Sequence, residues 1–307
     1  MMRLSGKNNI PESLRGAIIA LGNFDGFHKG HQAVAQEAID WAKSEGRPAI
    51  IATFDPHPVR HFRPDAPPFR LTNLDQRERL FTAAGADAML VFEFGAELAG
   101  TTAEDFVQKL LVERYGAAGI VTGDDFTFGK DRTGNVAVMK KLGAPLGLST
   151  KTVGPVSDGG EIISSSRIRD ALIAGDCETA TELLTRPFAI EGPVIHGDKN
   201  GRKLGFPTAN IDVGQYLRPK YGIYAVKGRM PDGRVVNGAA NLGIRPTFDP
   251  PKELLEPNFF DFSEDLYGQI IEVELHHFLR GEEKYDDLDA LMEQIKKDCD
   301  KARELLG

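Results

Sequence analysis

The sequence predicts two domains of different class. The first is α/β, with a parallel sheet covered by helices; the second is a small β-barrel followed by a terminal helix. Three observations predict this. Apolar β-type runs at 17–21, 49–54, 88–92 and 118–122 alternate with helical patterns at about 31–45, 73–84 and 102–115, the rhythm of a parallel sheet with crossover helices. That rhythm stops near residue 187, and from Phe188 to Leu279 short alternating strands are split by Gly and Pro turns: FAIEGPVIHG, GIYAVKGRM, RVVNGAANLG and QIIEVELHHFL. This is a barrel pattern. The chain has 307 residues, more than one hydrophobic core usually organises. The boundary is expected at Thr185–Pro187, giving domains 1–186 and 187–307.

Along the first half, AIIAL (17–21) reads as the opening strand and the pattern from Gln32 as the first helix. Ligands of parallel sheets gather beyond the carboxyl ends of the strands. GNFDGFHKGH (22–31), TFDPHP (53–58) and TGDDFTFGKDRTGN (122–135) each follow a strand, so all three fall on one rim. At the other end, Leu288, Leu291, Ile295, Ala302 and Leu305 share an apolar face in a helix over roughly 286–306.

Composition removes several classes. Net charge is −8 with no basic stripe, which argues against nonspecific nucleic-acid binding. No apolar stretch approaches a membrane span, and MMRLSGKNNIPESLRG lacks an apolar signal core. Cys177 and Cys299 are the two cysteines; far apart in sequence, they read as reduced thiols of a cytoplasmic protein.

GNFDGFHKGH carries the most chemistry. Gly22, Gly26 and Gly30 let the backbone turn tightly and approach a ligand closely. His28 and His31 stand at a helix entry, where unpaired N–H groups and the positive dipole end suit phosphate. Imidazoles there donate hydrogen bonds to phosphate oxygens. The run is not a Walker A loop, lacking GK[ST], and its glycine spacing is not that of a dinucleotide fingerprint.

HxGH after a first strand resembles the nucleotidyltransferase superfamily signature. The longer GxFDGxHxGH is similar to the N-terminal module of the prokaryotic bifunctional riboflavin kinase/FAD synthetase family. The resemblance implies a Rossmann-like nucleotidyltransferase domain, with His28 and His31 catalytic. It also implies that Gly22, Phe24, Asp25, Gly26 and Gly30 bind ATP phosphates. TGDDFTFGKDRTGN resembles the family's second ligand loop. Phe126 and Phe128 either flank a flat aromatic ligand there or plug the core below the loop, and Asp125 is a weaker flavin candidate. In TFDPHP, Asp55 and His57 line the flavin site or merely belong to a stiff turn. ISSSRIRDAL (163–172) looks like the superfamily's ISSTxIR motif. Its serines cap a helix, and the resemblance adds Ser165, Ser166, Arg167 and Arg169 to the phosphate contacts.

HGDKNGRKLGFPTANI (196–211) resembles the riboflavin kinase module's GRxLGFPTAN element. Gly197, Gly201 and Gly205, with Arg202, make a loop that can close over phosphates. Thr208 and Asn210 offer oxygens suited to Mg²⁺ beside ATP. RPKYGIYAV, NLGIRPTF, LLEPNFFDFSEDLYG and FLRGEEKYDDLDAL continue the likeness through roughly residue 300. Glu256 falls where the family has its catalytic acid, and the resemblance makes Arg280, in its arginine-bearing segment, a flavin contact. Pro257 and Asn258 depart from the commoner pattern of a β-branched residue and a histidine.

The resemblance implies two reactions: phosphorylation of riboflavin by ATP to FMN, and adenylylation of FMN by a second ATP to FAD with release of pyrophosphate. A nucleotidyltransferase for another acceptor would not need the GFPTAN barrel. A flavin-binding regulator that had lost catalysis would lack His28, His31 or Glu256. A flavin-dependent redox enzyme would hold one flavin tightly and need no ATP.

Overall fold

In the computed structural model, which describes residues 1–196, 206–245, 252–285 and 287–307, the apolar runs are strands buried on both faces. Six strands of the first half make one sheet among the described residues. They are β1 (Met2–Ser5), β2 (Ile18–Leu21), β3 (Ala49–Asp55), β4 (Ala88–Glu93), β5 (Gly119–Gly123) and, after the short hairpin strands β6 (Thr127–Phe128) and β7 (Gly134–Asn135), β8 (Ser149–Val153). Their order is β1-β4-β3-β2-β5-β8 and every pair is parallel. Successive side chains point to opposite faces. Ile19, Leu21, Ile50, Ala52, Leu90 and Ile120 therefore join one core, while Ile18, Ala20, Ile51, Met89 and Val121 join the other.

β1 and β8 are outside the expected set. Both are edge strands with mostly exposed or half-buried residues, so neither carries an apolar run. β9 (Ser157–Asp158) and β10 (Glu161–Ile162) form a further small hairpin.

The helices are α1 (Lys29–Ser44), α2 (Pro58–Phe62), α3 (Leu74–Ala84), α4 (Ala96–Ala99), α5 (Ala103–Asp105, continuing as a π-helix over Phe106–Arg114) and α6 (Val136–Gly143). α1 buries Val34, Ala35, Ala38, Trp41 and Ala42, a stripe at helical spacing that packs on β2, β3 and β5.

The chain divides into two compact units, residues 1–67 with 74–164, and residues 68–73 with 165–307. This division falls after Ser164, not at the expected Thr185–Pro187. The reason lies in α7 (Ser165–Ala174) and α8 (Cys177–Leu184). α8 buries Cys177, Ala180, Leu183 and Leu184 and packs on barrel strands. Residues 68–73 count with the second unit because Arg70 N–H donates to Gln215 O (3.1 Å) and Leu217 N–H to Arg70 O (2.8 Å).

The second unit's barrel is β11 (Phe188–Ile195), β12 (Asn210–Asp212), β13 (Gly222–Arg229), β14 (Val235–Arg245), β15 (Lys252–Phe259) and β16 (Ile270–Arg280). It closes in the order β11-β12-β15-β14-β13-β16, each pair antiparallel. α9 (Leu288–Leu306) packs on its outer face, Cys299 and Ala302 joining Ala225, Ala239 and Phe260 in a core that Ile295 and Leu306 flank. Leu288 and Leu305 are exposed; the contacting stripe runs 295-299-302-306, not through the two terminal leucines. Cys177 and Cys299 are both reduced and buried. Burial pushes their thiols up, to about 12 and about 11.

Candidate active sites

The histidine loop leaves β2 at the centre of the sheet, where the chain's strand order turns from one side to the other. Such a switch point is where parallel sheets open a crevice. The loop makes a tight reversal: Phe24 and Phe27 have φ of 49° and 45°, and Gly26 has φ of 87°. Positive φ is cheap for glycine and costly for phenylalanine, so packing must hold the two rings. Phe24 lies edge-on to Phe27, His31 and Phe81, with centroids at 6.3, 5.3 and 5.8 Å.

His28 is the N-cap of α1. Its Nδ1 accepts the His31 backbone N–H at 3.4 Å, which places the proton of a neutral ring on Nε2. The His28 and His31 rings stack at 3.7 Å, 19° apart. A Cβ on Gly30 would press on His28 Cε1 at 3.2 Å, so the ring would have to give by a little, and would touch Ile163 O at 3.6 Å. The residue ahead of the ISSS serines thus lies beside HxGH. The first turn of α1 carries no acidic residue, and the positive end of a helix favours an anion.

Two expected phosphate contacts turn inward. Phe24 and Asp25 are each 1% exposed. Asp25 Oδ1 accepts from Arg77 Nη2 at 3.2 Å, with both side chains buried. Asp55 ends β3 half-buried. His57 caps α2 through Nδ1, which accepts Val59 N–H at 3.2 Å. Phe128 is buried 5.2 Å from Phe106, so it plugs the core. Phe126, half-buried, stacks on it at 5.9 Å, and Asp125 is exposed.

Ser165, Ser166, Arg167 and Arg169 open α7, in the second unit. Arg169 Nε donates to Phe69 O at 2.8 Å and its guanidinium lies 5.3 Å over the Phe69 ring.

In the barrel, Gly197, Gly201, Arg202 and Gly205 lie outside the described residues. Strand register brings the other candidates together. Asn241 on β14 stands directly opposite Glu256 on β15. On the other side, β12 pairs Ile211 with Leu255, and Ala209 N–H donates to Pro257 O at 3.0 Å. That continued register sets Asn210 opposite Glu256, within the ~4.5–5.5 Å Cβ spacing of cross-strand neighbours. Glu256 is therefore flanked by two asparagines. Asn241 Nδ2 in turn donates to Glu282 Oε1 at 3.3 Å. Thr208 and Asn210 line a cavity of about 320 Å³ with Ser263, Glu264, Asp265 and Tyr267. Arg234 forks onto Glu264 at 2.7 and 2.8 Å and holds that carboxyl below its ordinary value.

Arg280 ties the last barrel strand to α9. Its Nε and Nη2 clasp Asp298 of α9 at 3.0 and 2.7 Å, and Nη1 donates to Gly281 O at 3.0 Å. Every guanidinium nitrogen has a protein acceptor, and the residue anchors α9. Arg77, Asn241 and Glu282 were not among the sequence candidates. Arg77 sits in LDQRERL, where nothing distinguishes it from Arg79; Asn241 lies inside the quoted NLGIRPTF run.

One chain thus carries two separate candidate sites, a stacked imidazole pair at a helix entry and a carboxylate between two asparagines on the barrel. Comparison with known proteins makes this specific. The FAD synthetase family model matches residues 10–167 and the riboflavin kinase model residues 184–306. Bifunctional riboflavin kinase/FMN adenylyltransferases of Escherichia coli K12 and Haemophilus influenzae are 36% and 37% identical, covering 100% and 99% of this chain and 98% of each relative. A crystal structure of a Streptococcus pneumoniae protein named macrolide-efflux protein superimposes with a TM-score of 0.85 at 30% identity, covering 97% of both chains. Among the described residues no helix is long and apolar enough to cross a membrane. The chain belongs to the bifunctional riboflavin kinase/FMN adenylyltransferase family and is an enzyme.

Proposed function

We propose that the chain converts riboflavin to FMN in its barrel module and FMN to FAD in its sheet module, using one ATP in each step. The observation that carries this reading is the placement of Asn210 and Asn241 on either side of Glu256, in a chain whose α1 entry holds the stacked His28 and His31.

In the kinase step the riboflavin 5′-hydroxyl attacks the γ-phosphorus of ATP. A new O–P bond forms, the bond to the β-phosphate oxygen breaks, and ADP leaves. Glu256 takes the hydroxyl proton, a role that needs a carboxylate within hydrogen-bond reach. In the second step an FMN phosphate oxygen attacks the α-phosphorus of another ATP, and pyrophosphate leaves. His28 and His31, with the N–H groups of α1, donate to phosphate oxygens as charge builds. Holding both substrates in line supplies the remainder.

Thr208 and Asn210 fit Mg²⁺: they are hard oxygen donors lining one cavity, and Mg²⁺ takes only one or two protein oxygens when phosphates supply others. When bound, the ion neutralises phosphate charge. Two buried, reduced thiols accord with a cytoplasmic enzyme.

The test is incubation with riboflavin, ATP and Mg²⁺ followed by chromatographic separation of the flavins. FMN and FAD should both appear. Turnover of a reductant on tightly held flavin, without ATP consumption, would overturn the reading.

A further inference from the structure

The adenylyl-transfer reading, on which this inference rests, gives Arg77 no task. Yet this arginine of α3 is 1% exposed and among the largest fully buried side chains. Its Nη2 donates to Asp25 Oδ1 at 3.2 Å; its Nη1 donates to Thr53 Oγ1 at 3.1 Å and Phe54 O at 3.3 Å. The Thr53 hydroxyl donates onward to Asn23 O at 2.7 Å. One guanidinium thus grips the loop after β2 and the end of β3 together. These are the roots of GNFDGFHKGH and TFDPHP.

We infer that Arg77 is a positioning residue for adenylyl transfer, setting where the histidine loop stands against the Asp55–His57 loop. Two physical points support this. Asp25 sits between Phe24 and Phe27, both at positive φ, and such a backbone persists only where its surroundings over-determine it. The ion pair supplies a directional hold inside that turn. Moreover, a buried ion pair is a poor device for stability, because packed apolar side chains of similar volume often serve as well or better. A forked cation reaching Asp25, Thr53 and Phe54 instead fixes geometry. His28 begins its cap three residues beyond Asp25, so a shift of the turn moves the imidazoles.

The double variant Asp25→Leu/Arg77→Met separates positioning from stability. Measured are melting temperature, riboflavin-to-FMN turnover as a control in the same chain, and kcat and KM for FMN-to-FAD conversion. Melting and FMN formation should hold. The kcat for FAD formation should fall about a hundredfold, the scale of an ångström-sized misplacement, with both KM values changed far less. Arg77→Lys, which keeps the cation but not the fork, should recover part of the rate lost in Arg77→Met. A folded double variant with wild-type kcat overturns the inference. If the double variant does not fold, Thr53→Val decides: it removes one hydroxyl, and kcat should fall about tenfold with melting and FMN formation unchanged. An unchanged kcat there overturns the inference equally. A wild-type chain that makes no FAD from FMN and ATP overturns the adenylyl-transfer reading and this inference with it. Wild-type activity beside an equally active variant overturns the inference alone.

Discussion

The two units hold their candidate site residues by opposite means. In the sheet unit the groups that shape the site are buried: His28 is 5% exposed, and Phe24, Asp25 and Arg77 each 1%. Local capping, ring stacking and one internal ion pair hold the imidazoles, and the neighbouring strand supplies the rest. In the barrel unit Glu256 is half-buried, and strand register sets Asn210 on one side of it and Asn241 on the other. The first site is preorganised by what lies beneath it, the second by what lies beside it. The first should therefore be sensitive to inner packing, and the second to anything that slips a strand.

Glu256→Gln should give the largest separation between the units. It keeps size and hydrogen-bonding reach but cannot accept the hydroxyl proton. FMN formation from riboflavin should fall about a hundred- to ten-thousandfold, while FAD formation from supplied FMN stays. Assays started from riboflavin and from FMN distinguish the two. A fall in both would mean misfolding or a shared site. Unchanged FMN formation would move the base to Asp261 or another carboxylate.

His28→Ala and His31→Ala are the mirror test. Loss of a preorganised donor typically costs about a hundredfold or more in rate, here in FAD formation only. His28→Ala carries a second effect, since the helix also loses its N-cap, a loss of about 0.5–2 kcal/mol. Undiminished adenylylation by the double variant would sink the assignment of the histidines.

A smaller effect sharpens the border between the units. Fragments 165–307 and 187–307 should both make FMN and no FAD. The shorter one lacks α8 with its buried Leu183 and Leu184. At about 1.5–3 kcal/mol for each buried leucine, it should melt about 10 °C or more below the longer one. Equal melting temperatures would show that α8 is not part of the barrel's core.

What the sequence disclosed follows the same contrast. β2 to β5 were legible because each is buried on both faces and reads as a continuous apolar run. β1 and β8 were not, because edge strands need no such run. The histidine loop was legible as a motif, but its engineering was not. Asp25 reads as a polar residue near phosphate until Arg77, 52 positions away in an ordinary amphipathic helix, turns it inward. Likewise Glu256 was legible by position, whereas its asparagine neighbours depend on a register that spacing alone cannot give. The Arg280–Asp298 contact was not legible either, because it joins a strand to α9 and no local pattern signals it.

The smallest expected effect concerns acid. Arg218 donates to Glu253 Oε2 at 2.7 Å, the Tyr221 hydroxyl donates to Oε1, and the Glu253 carboxyl is held below its ordinary value, chiefly by Arg218. A depressed carboxyl stabilises the fold above its unfolded value, near pH 4.5, and that contribution is lost as pH falls through the lower folded value. Glu253→Gln should thus lose less stability than wild type between pH 6 and pH 3, read from urea midpoints. Parallel curves would remove Glu253 from the account.

Both of the chain's cysteines belong to one unit. At neutral pH Cys177 and Cys299 are hidden and protonated, so an alkylating reagent meets almost no thiolate until the surrounding structure opens. Each capped thiol then records one opening event, Cys177 at the start of α8 and Cys299 near the end of α9. Mass spectrometry of an alkylation time course, read peptide by peptide, would time the breathing of the barrel unit in an unmodified protein. The sheet unit, with no sulfhydryl of its own, would stay silent in the same experiment.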